Sequence, residues 1–431
     1  MSKEAVSSST EEKDSAANVT DYKKKKPESL DSNGYLEYYI AVIGSVDGGK
    51  SSTVGVLTTN SLDDGNGKAR CSVFRHPHER YTGRTSDISY QYYKDEVSKR
   101  IITFIDLAGH EAYLRTTING LSSGYPDIAL VCISDKITNM TKEHIGLAFN
   151  MNIPIVLLFT KIDQVPRDTT RDLVKTMKKL LSTKLNRNLY HVKTENDYNL
   201  CLENQNTLVP FILTSNKTGT GLDLVKHVIN SSPKKKRDII NGFSVEHIYE
   251  VKNYGTVVSG MVGNNVKKGD VLYIGPLRKC EFFEVRVKSL HNDFRYFVDE
   301  LKPGTRGCLC INISRSNKRH LRNGMVLTHE KPKNICKKFL AKVKIFHHHT
   351  TIKPGYQAFA NCGMICETVK FLKIDNCNGV DVDILRSGEE AIVELEFLKN
   401  LNYVEPGQSI VFREGSTRGI GTVEKIIEYK K

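Results

Sequence analysis

Short runs of almost uninterrupted apolar residues alternate with longer segments of helical periodicity in the first half of the chain. The apolar runs lie at residues 38–43, 100–105, 128–133, 153–159 and 209–213, and the helical segments lie at 110–122, 140–150, 167–185 and 221–230. Strands that lack polar alternation are typical of a parallel sheet that is covered on both faces. The pattern therefore predicts a doubly wound α/β domain over residues 35–232.

The hydrophobic pattern changes after about residue 241, where helical periodicity gives way to short alternating strands between glycine turns. The alternating runs include 256–260, 271–275 and 285–288, and Pro-Gly pairs stand at 303–304, 354–355 and 406–407. Such pairs suit type II turns, because proline fixes the first φ and glycine accepts the positive second one. This half is longer than one small barrel requires, so we predict two all-β barrel domains, at residues 241–331 and 335–429.

The first 34 residues, 1–34, contain no apolar segment and are typical of a disordered polar tail, which includes four consecutive lysines at 23–26. They lack the apolar core of a secretory signal, and no stretch of the chain reaches the roughly 20 apolar residues of a membrane span. A second basic run at 234–237 is either a solvated hinge or a nuclear-localisation signal. We predict a cytoplasmic protein with no membrane partner, and we expect a monomer.

The chain carries 63 lysine and arginine residues against 49 aspartate and glutamate residues, a formal net charge of +14. This excess is larger than a polyphosphate ligand alone would need. It favours an anionic macromolecule as partner, with RNA as the first candidate. A basic surface that serves only solubility is the alternative.

The ten cysteines are expected to be reduced thiols, because several lie inside apolar runs and no secretory signal precedes them. Cys362 and Cys366 lie near three consecutive histidines at 347–349, which raises a zinc site as an alternative. The spacing lacks a second clean ligand pair, and strand alternation places the histidines on both faces. We therefore predict structural roles for these residues.

A glycine-rich octapeptide follows the first apolar run and precedes a segment of helical character. It fits the pattern G-x-x-x-x-G-K-[ST], in which backbone N–H groups and a helix N-terminus surround a polyphosphate. We expect Lys50 to reach the β- and γ-phosphates and the Ser51 hydroxyl to bind Mg²⁺. The phosphate-binding residues predicted here are Gly44, Ser45, Val46, Asp47, Gly48, Gly49, Lys50, Ser51 and Ser52.

A second motif, Asp-Leu-Ala-Gly-His at 106–110, follows the run 100–105. Asp106 is expected to hold Mg²⁺ through water, and the Gly109 N–H is expected to contact a γ-phosphate. His110 would then lie beside that phosphate, where we predict that it orients the attacking water. A loop histidine with satisfied hydrogen bonds is the alternative.

A long polar stretch at 61–86 separates the phosphate-loop helix from the next strand and is rich in arginine, histidine and glycine. Loops of this length are usually functional or disordered. We expect a switch segment here, with Thr85 as its ligand for Mg²⁺ and the γ-phosphate, and a plain surface insertion is the alternative. Taken from these three motifs together, the predicted catalytic residues are His110, Thr85 and Lys50.

The base is indicated by Thr160-Lys161-Ile162-Asp163, which follows the run 153–159 and is close to the Asn-Lys-x-Asp of guanine-binding proteins. The Asp163 carboxylate can accept hydrogen bonds from guanine N1–H and N2–H₂, which adenine lacks. The alternative function is an ATPase. The stem of Lys161 can lie over the purine. After the last strand, Ser215, Asn216 and Lys217 stand where a backbone N–H normally holds guanine O6.

Together these motifs and the two predicted barrels resemble the translational GTPases of the elongation factor Tu class. A closer resemblance is to the eukaryotic elongation-factor-like family of GTP-binding proteins one and two, over roughly residues 35–428. The segments that carry it are 74–79, 83–86, 106–111, 140–144, 255–260 and 411–415. The resemblance implies an α/β P-loop GTPase domain followed by two all-β barrel domains.

The resemblance also implies GTP and GDP as ligands, with Mg²⁺ and a monovalent cation such as K⁺ held by Asp47 and the Gly83 carbonyl. His110 resembles the water-orienting histidine of this class, and Val46 fits one side of the apolar gate around it. Arg84 replaces the apolar residue on the other side of that gate. Thr160, Asn216 and Gly48 also depart from the usual residues at their positions.

The predicted function is a switch that hydrolyses GTP to GDP and phosphate while acting on the ribosome, tRNA or mRNA. The alternative is a GTP-dependent scaffold whose barrels bind a protein effector such as an RNA-decay complex. A steep loss of RNA affinity with salt would favour the first interpretation.

Overall fold

The computed structural model describes residues 35–74, 79, 85–235, 239–277, 280–348, 350–376, 382, 384–414 and 417–428. The predicted polar tail 1–34, Gly83, Arg84 and the end of the basic run at 236–237 lie outside these ranges.

The first part of the chain folds into a seven-stranded sheet with helices on both faces. The strands are β1 (Leu36–Gly44), β2 (Ser89–Asp95), β3 (Arg100–Asp106), β4 (Ile128–Ile133), β5 (Ile155–Phe159), β6 (Asn188–His191) and β7 (Leu208–Leu213). The helices are α1 (Lys50–Thr59), α2 (Lys68–Cys71), α3 (Leu114–Gly124), α4 (Asn139–Asn150), α5 (Arg167–Leu185), α6 (Glu195–Glu203) and α7 (Leu222–Ser231), and a 3₁₀ turn covers Glu111–Tyr113.

The strands of this sheet lie in the order β2-β3-β1-β4-β5-β7-β6, and all neighbours are parallel except β2, which is antiparallel to β3. In β1, Tyr39, Ala41 and Ile43 pack into the hydrophobic core on one face. Tyr38 and Ile40 pack into the core on the other face. Because both faces are covered, the strand needs apolar residues at every position. The carboxyl ends of the parallel strands meet at one edge, where the predicted site loops begin.

The second half forms two antiparallel barrels. The first, here called barrel II, contains β8 (Phe243–Val251), β9 (Gly255–Val262), β10 (Val266–Lys267), β11 (Val271–Gly275), β12 (Phe283–Asn292), β13 (Phe297–Val298), β14 (Glu300–Leu301), β15 (Arg306–Asn312), α8 (Arg315–Lys318) and β16 (Val326–Thr328). The second, barrel III, contains β17 (Ile335–His347), β18 (Gln357–Cys362), β19 (Ile365–Asn376), β20 (Glu390–Phe397), β21 (Asn402–Tyr403), β22 (Ser409–Glu414) and β23 (Thr417–Glu428).

Each barrel closes through six strands. Barrel II runs β11-β16-β8-β9-β15-β12 and closes by pairing β12 with β11, whereas barrel III runs β20-β19-β18-β22-β23-β17 and closes by pairing β17 with β20. Each encloses its own apolar core. The predicted fold class, an α/β domain followed by two all-β barrels, is confirmed, and the domain limits given above stay predictions.

Two features of the described ranges bear on membranes and metals. None of the helices found there combines the length and the apolar character that crossing a membrane requires. Those ranges also hold no group of three or more His, Cys, Asp and Glu side chains placed to share a metal ion. Cys362, considered above for zinc, is buried in the apolar core of barrel III.

Candidate functional site

The phosphate loop joins the end of β1 to the start of α1 and bends tightly against β4. A Cβ atom at Gly44 would lie 2.3 Å from the carbonyl oxygen of Cys132, and one at Gly48 would lie 2.8 Å from the same atom. Asp47 and Gly49 adopt positive φ angles of 60° and 86°. Gly49 has no side chain with which to cap α1, so the N–H groups of the first turn face the loop, an arrangement that favours phosphate.

Lys50 lies inside this loop. Its side chain is buried, and Nζ donates to the carbonyl oxygen of Ser45 at 2.8 Å. Burial lowers the pKa of Lys50, and the nearby Asp106 carboxylate opposes that shift. The backbone of Gly109 lies against the same amino group, because a Cβ atom there would be 2.4 Å from Nζ. The structure therefore brings the two motifs together around one ammonium group.

Ser51, Thr85 and Asp106 form a compact polar cluster beside Lys50. Ser51 Oγ donates to Asp106 Oδ2 at 2.7 Å and lies 3.0 Å from Thr85 Oγ1, which donates to Asp106 Oδ2 at 3.2 Å. Burial raises the pKa of Asp106 to about 6. In the part of the chain that the structure describes, the buried Asp106 Oδ1 has no hydrogen-bond partner. An unpartnered carboxylate oxygen beside two hydroxyls fits a hydrated Mg²⁺, which prefers oxygen ligands and keeps several waters.

His110 stands at the start of the 3₁₀ turn and is exposed. Its Nδ1 accepts the N–H of Ala112 at 3.1 Å, and its ring stands edge-on to Tyr113 with 6.1 Å between the ring centroids. Because Nδ1 accepts, a neutral imidazole carries its proton on Nε2. His110 can therefore present an N–H donor to an oxygen in the cleft.

The cleft above the phosphate loop brings most of the predicted residues together and adds one that sequence reasoning missed. Its lining residues are Val46, Asp47, Gly49, Lys50, Ser51, Ser52, Arg70, Thr85, Gly109, His110 and Lys161. Arg70 belongs to α2, and the only signal for it was the abundance of arginine between 61 and 86. A guanidinium here adds positive charge and hydrogen-bond donors for phosphate. The monovalent cation at Asp47 stays a prediction, because Gly83 lies outside the described residues.

Two loops at the ends of β5 and β7 form the candidate guanine pocket. Thr160 Oγ1 donates to the Gly48 carbonyl oxygen at 2.8 Å, so this hydroxyl connects the base loop to the phosphate loop. Asp163 is exposed, and its Oδ1 accepts from Ser215 Oγ at 2.6 Å. Lys161 has a positive φ of 57°. A carboxylate that is held from one side and open on the other can accept from a purine.

The segment 214–219, here called the guanine loop, continues the pocket beyond Ser215. Asn216 is buried and Lys217 is exposed. Within the described ranges, the backbone N–H groups of Asn216 and Lys217 donate to no protein acceptor, whereas those of Ser215, Thr218 and Gly219 all do. Two adjacent N–H groups without protein partners suit an acceptor such as a purine carbonyl oxygen.

A buried histidine, which ends the segment 140–144 but received no role in the sequence analysis, lies beneath the phosphate loop. His144 of α4 accepts the Gly44 N–H at its Nδ1, with 3.0 Å between the nitrogens. Burial, together with the positive charge of Lys50, lowers the pKa of His144 to about 3, so the ring is neutral near pH 7. On the same helix, Glu143 lies 3.9 Å from Arg413 of barrel III. The helix α4 therefore contacts both the phosphate loop and a barrel.

The helix that follows His110 also rests on barrel III. The Arg115 guanidinium of α3 lies 3.6 Å from the centroid of the Phe359 ring, and Ser122 Oγ donates to the Gly363 carbonyl oxygen at 3.2 Å. Leu114 and Ile118 share an apolar cluster with Val411. A displacement at His110 can thus reach the barrel through one rigid helix.

Comparison with known proteins agrees with this site. Residues 38–234 match the family described as the elongation factor Tu GTP binding domain. The chain is 35% identical to GTP-binding protein 1 of Xenopus laevis, in an alignment that covers 97% of this chain and 67% of that protein. It is 34% identical to GTP-binding protein 2 of Homo sapiens, over 92% of this chain and 70% of that protein.

Among solved structures, the fold is shared with translation elongation factor SelB from Methanococcus maripaludis, crystallised in complex with the GTP analogue GppNHp. The TM-score is 0.68 and the identity 23%, with 91% of this chain and 80% of that chain covered. The matched domain and the two relatives together establish the family. The chain belongs to the translational GTPases, alongside GTP-binding proteins 1 and 2.

Proposed function

We propose that this protein binds GTP with Mg²⁺ and hydrolyses it to GDP and inorganic phosphate. The observation that supports this most strongly is the cluster of Ser51, Thr85 and Asp106 beside Lys50. It collects the hydroxyls and the carboxylate that a nucleotide-bound Mg²⁺ needs, and it leaves Asp106 Oδ1 without a partner in the described ranges. The N–H groups at the start of α1 complete a site for a polyphosphate.

Each phosphate-site residue has a role that follows from its position. Lys50 donates to β- and γ-phosphate oxygens, and its hydrogen bond to Ser45 keeps the amino group in place before the ligand arrives. Ser51 and Thr85 offer hydroxyl oxygens, and Asp106 accepts from water. Mg²⁺, when bound, would neutralise charge on the phosphates. The Gly109 N–H contacts the γ-phosphate. When hydrolysis removes that phosphate, Gly109 loses this contact, and the turn that leads into α3 is released.

His110 orients the water that attacks the γ-phosphorus. The new bond forms between the water oxygen and that phosphorus while the bond to the β–γ bridging oxygen breaks, and GDP leaves with the electron pair. The Nε2–H form of His110 acts as a hydrogen-bond donor that positions the water or the phosphate. The proton released from water passes to the phosphate product, so this histidine need not act as a general base.

Guanine recognition by Asp163 is tested with Asp163→Asn. The amide keeps one acceptor but presents donors to guanine N1–H and N2–H₂, so GTP affinity should fall and xanthosine triphosphate should bind better. Calorimetry with non-hydrolysable GTP, ATP and xanthosine analogues plus magnesium measures this. Retained GTP preference in the variant would overturn the assignment of the base.

We further propose that the ribosome or its bound RNA is the surface on which this switch works. The net charge of +14 and membership of the translational GTPases support that partner. Turnover of GTP with and without ribosomes is the test, and a rate at least tenfold higher with ribosomes is expected. Equal rates, together with no RNA affinity at low salt, would instead favour a scaffold that binds a protein effector.

A further inference from the structure

We propose that Asn216 is a positioning residue for guanine recognition, because its side chain fixes the guanine loop to the helix that carries the phosphate ligands. This inference rests on the GTP site proposed above. It assigns a specificity role to a side chain that itself need not touch the base.

The side chain of Asn216 is buried against α1. Its Nδ2 donates to Thr53 Oγ1 at 3.0 Å, and its Oδ1 lies 3.5 Å from the same hydroxyl. Asn216 is 8% exposed and Thr53 is 1% exposed. Removal of either group leaves the other polar group buried without this partner, so the pair specifies one position of the loop.

Thr53 stands in the first turn of α1, two residues after Ser51. The hydrogen bond from Asn216 therefore connects the guanine loop to the same turn that holds the phosphate ligands. The Thr160 hydroxyl makes a corresponding connection from the other base loop to Gly48. The base pocket and the phosphate site are thus held at one fixed separation by two buried side chains.

The outer side of the guanine loop is covered by residues 60–74, here called the brace. The Asp63 N–H donates to the Asn216 carbonyl oxygen at 2.9 Å. The start of the brace is also held to α7, where Lys226 Nζ donates to Asn60 Oδ1 at 2.6 Å. In a trans peptide the carbonyl and the following N–H point in opposite directions. A carbonyl of Asn216 that faces the brace therefore directs the Lys217 N–H to the other side, toward the base.

This geometry predicts which contact depends on Asn216. Guanine O6 is an acceptor that the N–H groups of Asn216 and Lys217 would bind, whereas N1–H and N2–H₂ belong to Asp163. Ser215, which holds Asp163, has its own anchor in the hydrogen bond from its N–H to the Thr220 carbonyl oxygen. Loosening the loop at Asn216 should therefore weaken recognition of O6 more than recognition of the 2-amino group. Two analogues separate these contacts, because 6-thio-GTP replaces O6 by a weaker acceptor and inosine triphosphate lacks the 2-amino group.

The experiment uses the full chain as wild type, Asn216→Ala, Thr53→Val and the double variant. We expect each single variant to release fluorescent GDP about five- to tenfold faster, the effect of one lost buried hydrogen bond. The preference for GTP over 6-thio-GTP should narrow, while the preference for GTP over inosine triphosphate should persist. The double variant should resemble the single ones, because both remove the same contact.

Two further variants serve as controls. Thr220→Val removes an exposed hydroxyl directly after the guanine loop, where its Oγ1 pairs with Thr218 Oγ1, and should behave as wild type. Thr53→Ser keeps the hydroxyl and should restore the slow GDP release that Thr53→Val loses. The comparison of Thr53→Ser with Thr53→Val tests the role of this hydrogen bond even if Asn216→Ala fails to fold.

Three results would overturn the inference. Unchanged GDP release in Thr53→Val would show that the contact has no influence. Faster release with unchanged discrimination against 6-thio-GTP would indicate general loosening of the site. A wild-type protein that binds no guanine nucleotide would overturn the proposed function as well, whereas the first two results would leave that function intact.

Discussion

Among single residues, buried hydroxyls hold the loops of the nucleotide site together. Thr160 Oγ1 binds the Gly48 carbonyl oxygen, and Ser215 Oγ binds the Asp163 carboxylate. A hydroxyl can donate and accept at once, so it connects two loops without adding charge. This matters in a site for a highly charged ligand, where an additional ionised group would alter the binding of phosphate and metal.

His110 is the residue whose removal should separate binding from catalysis. It is exposed at the cleft and held by its own turn, so His110→Ala should leave GTP affinity close to wild type. Ribosome-stimulated hydrolysis should fall by about 10²-fold or more, as expected for the loss of a positioned catalytic group. Single-turnover measurements at saturating GTP give the rate.

The control for that variant is His329→Ala, which removes an exposed histidine that follows β16. It should hydrolyse GTP at the wild-type rate. If His110→Ala also retained that rate, the histidine would be a bystander whose only role is to begin the 3₁₀ turn.

At the scale of elements, the brace is docked so closely on α1 that a glycine is required inside the helix. A Cβ atom at Gly55 would lie 2.2 Å from the Ala69 carbonyl oxygen of α2. Gly55→Ala gains helix propensity of about 1 kcal/mol but forces the two backbones apart, which typically costs about 1–3 kcal/mol. We expect a lower thermal midpoint and faster proteolysis within 60–74, read by limited digestion.

A second helical glycine provides the matched control. Nothing lies within 4 Å of a Cβ atom built at Gly146 of α4. Gly146→Ala should therefore gain the propensity without the collision and raise the thermal midpoint. If both alanine variants were stabilised, the close approach of α2 to α1 would be contradicted.

Elements with a clear hydrophobic pattern, such as an uninterrupted apolar run, could be predicted from the sequence. The parallel strands β1, β3, β4, β5 and β7 were found because both of their faces are buried. The edge strand β6, which is also parallel, lies in no predicted run, because one of its four residues is exposed and the other three are only partly buried. The edge strand β2 was missed, because five of its seven residues are only partly buried and its tyrosines and polar residues resemble a loop. The brace was missed for the same reason, since its polar residues are held by contacts with the guanine loop and α1.

Among the site residues, too, those that stand in a recognisable local motif could be predicted from the sequence. Lys50, Ser51 and Asp106 stand in local motifs, so their spacing alone predicts their proximity. Arg70 and His144 reach the site from elements that are distant in sequence, and only the fold brings them there. Both residues lie in segments that the sequence analysis singled out, 61–86 and 140–144, but neither pattern showed which side chain reaches the site.

At the scale of the whole molecule, a buried ion pair within barrel II accepts hydrogen bonds from the GTPase domain. Arg306 pairs with Glu246, and both are at most 6% exposed. Glu246 Oε1 accepts from Tyr90 of β2 at 3.3 Å and from Ser123 of α3 at 3.2 Å. The strand after Thr85 and the helix after His110 therefore meet at one carboxylate of the barrel.

The distribution of charge on the barrels distinguishes two basic surfaces. On barrel III, lysines of β17 face glutamates of β20, for example Lys344 with Glu390 at 2.8 Å and Lys338 with Glu394 at 3.7 Å. On barrel II, Arg286 and Lys288 are exposed on β12 and form no ion pair with another described residue. The RNA contact proposed above is therefore expected at β12 of barrel II rather than at the paired stripe of barrel III, the row of β17 lysines that face β20 glutamates.

That expectation is tested by the salt dependence of RNA binding. Arg286→Gln combined with Lys288→Gln should lower RNA affinity and reduce the slope of log K against log salt by roughly 0.7 for each lost phosphate contact. The matched control, Lys338→Gln combined with Lys344→Gln, removes equal charge from the paired stripe. Equal effects of the two double variants would mean that RNA senses only the net charge.

The contact between barrel II and the first sheet also contains a carboxyl group that should make stability depend on pH. Burial of the Asp293 carboxylate, helped by the negative charge of Glu37 on β1, raises the pKa of Asp293 from 3.8 to about 7. Its Oδ2 is buried and has no hydrogen-bond partner within the described ranges. The folded protein thus favours the neutral form of this acid.

Because the folded pKa lies above the unfolded one, the contribution of Asp293 to stability is most favourable below about pH 4 and is lost as pH rises toward 7. Asp293→Asn keeps a neutral side chain at every pH, so it should be more stable than wild type near pH 8, on the order of 1–4 kcal/mol. The difference in thermal midpoint between variant and wild type, followed from about pH 5 to pH 8, should grow with pH. Asp299→Asn, at an exposed carboxylate of the same barrel, should show no such trend. A constant difference for Asp293→Asn would mean that this carboxylate is ionised in the folded protein throughout, and that the contact between barrel and sheet is built around a charge.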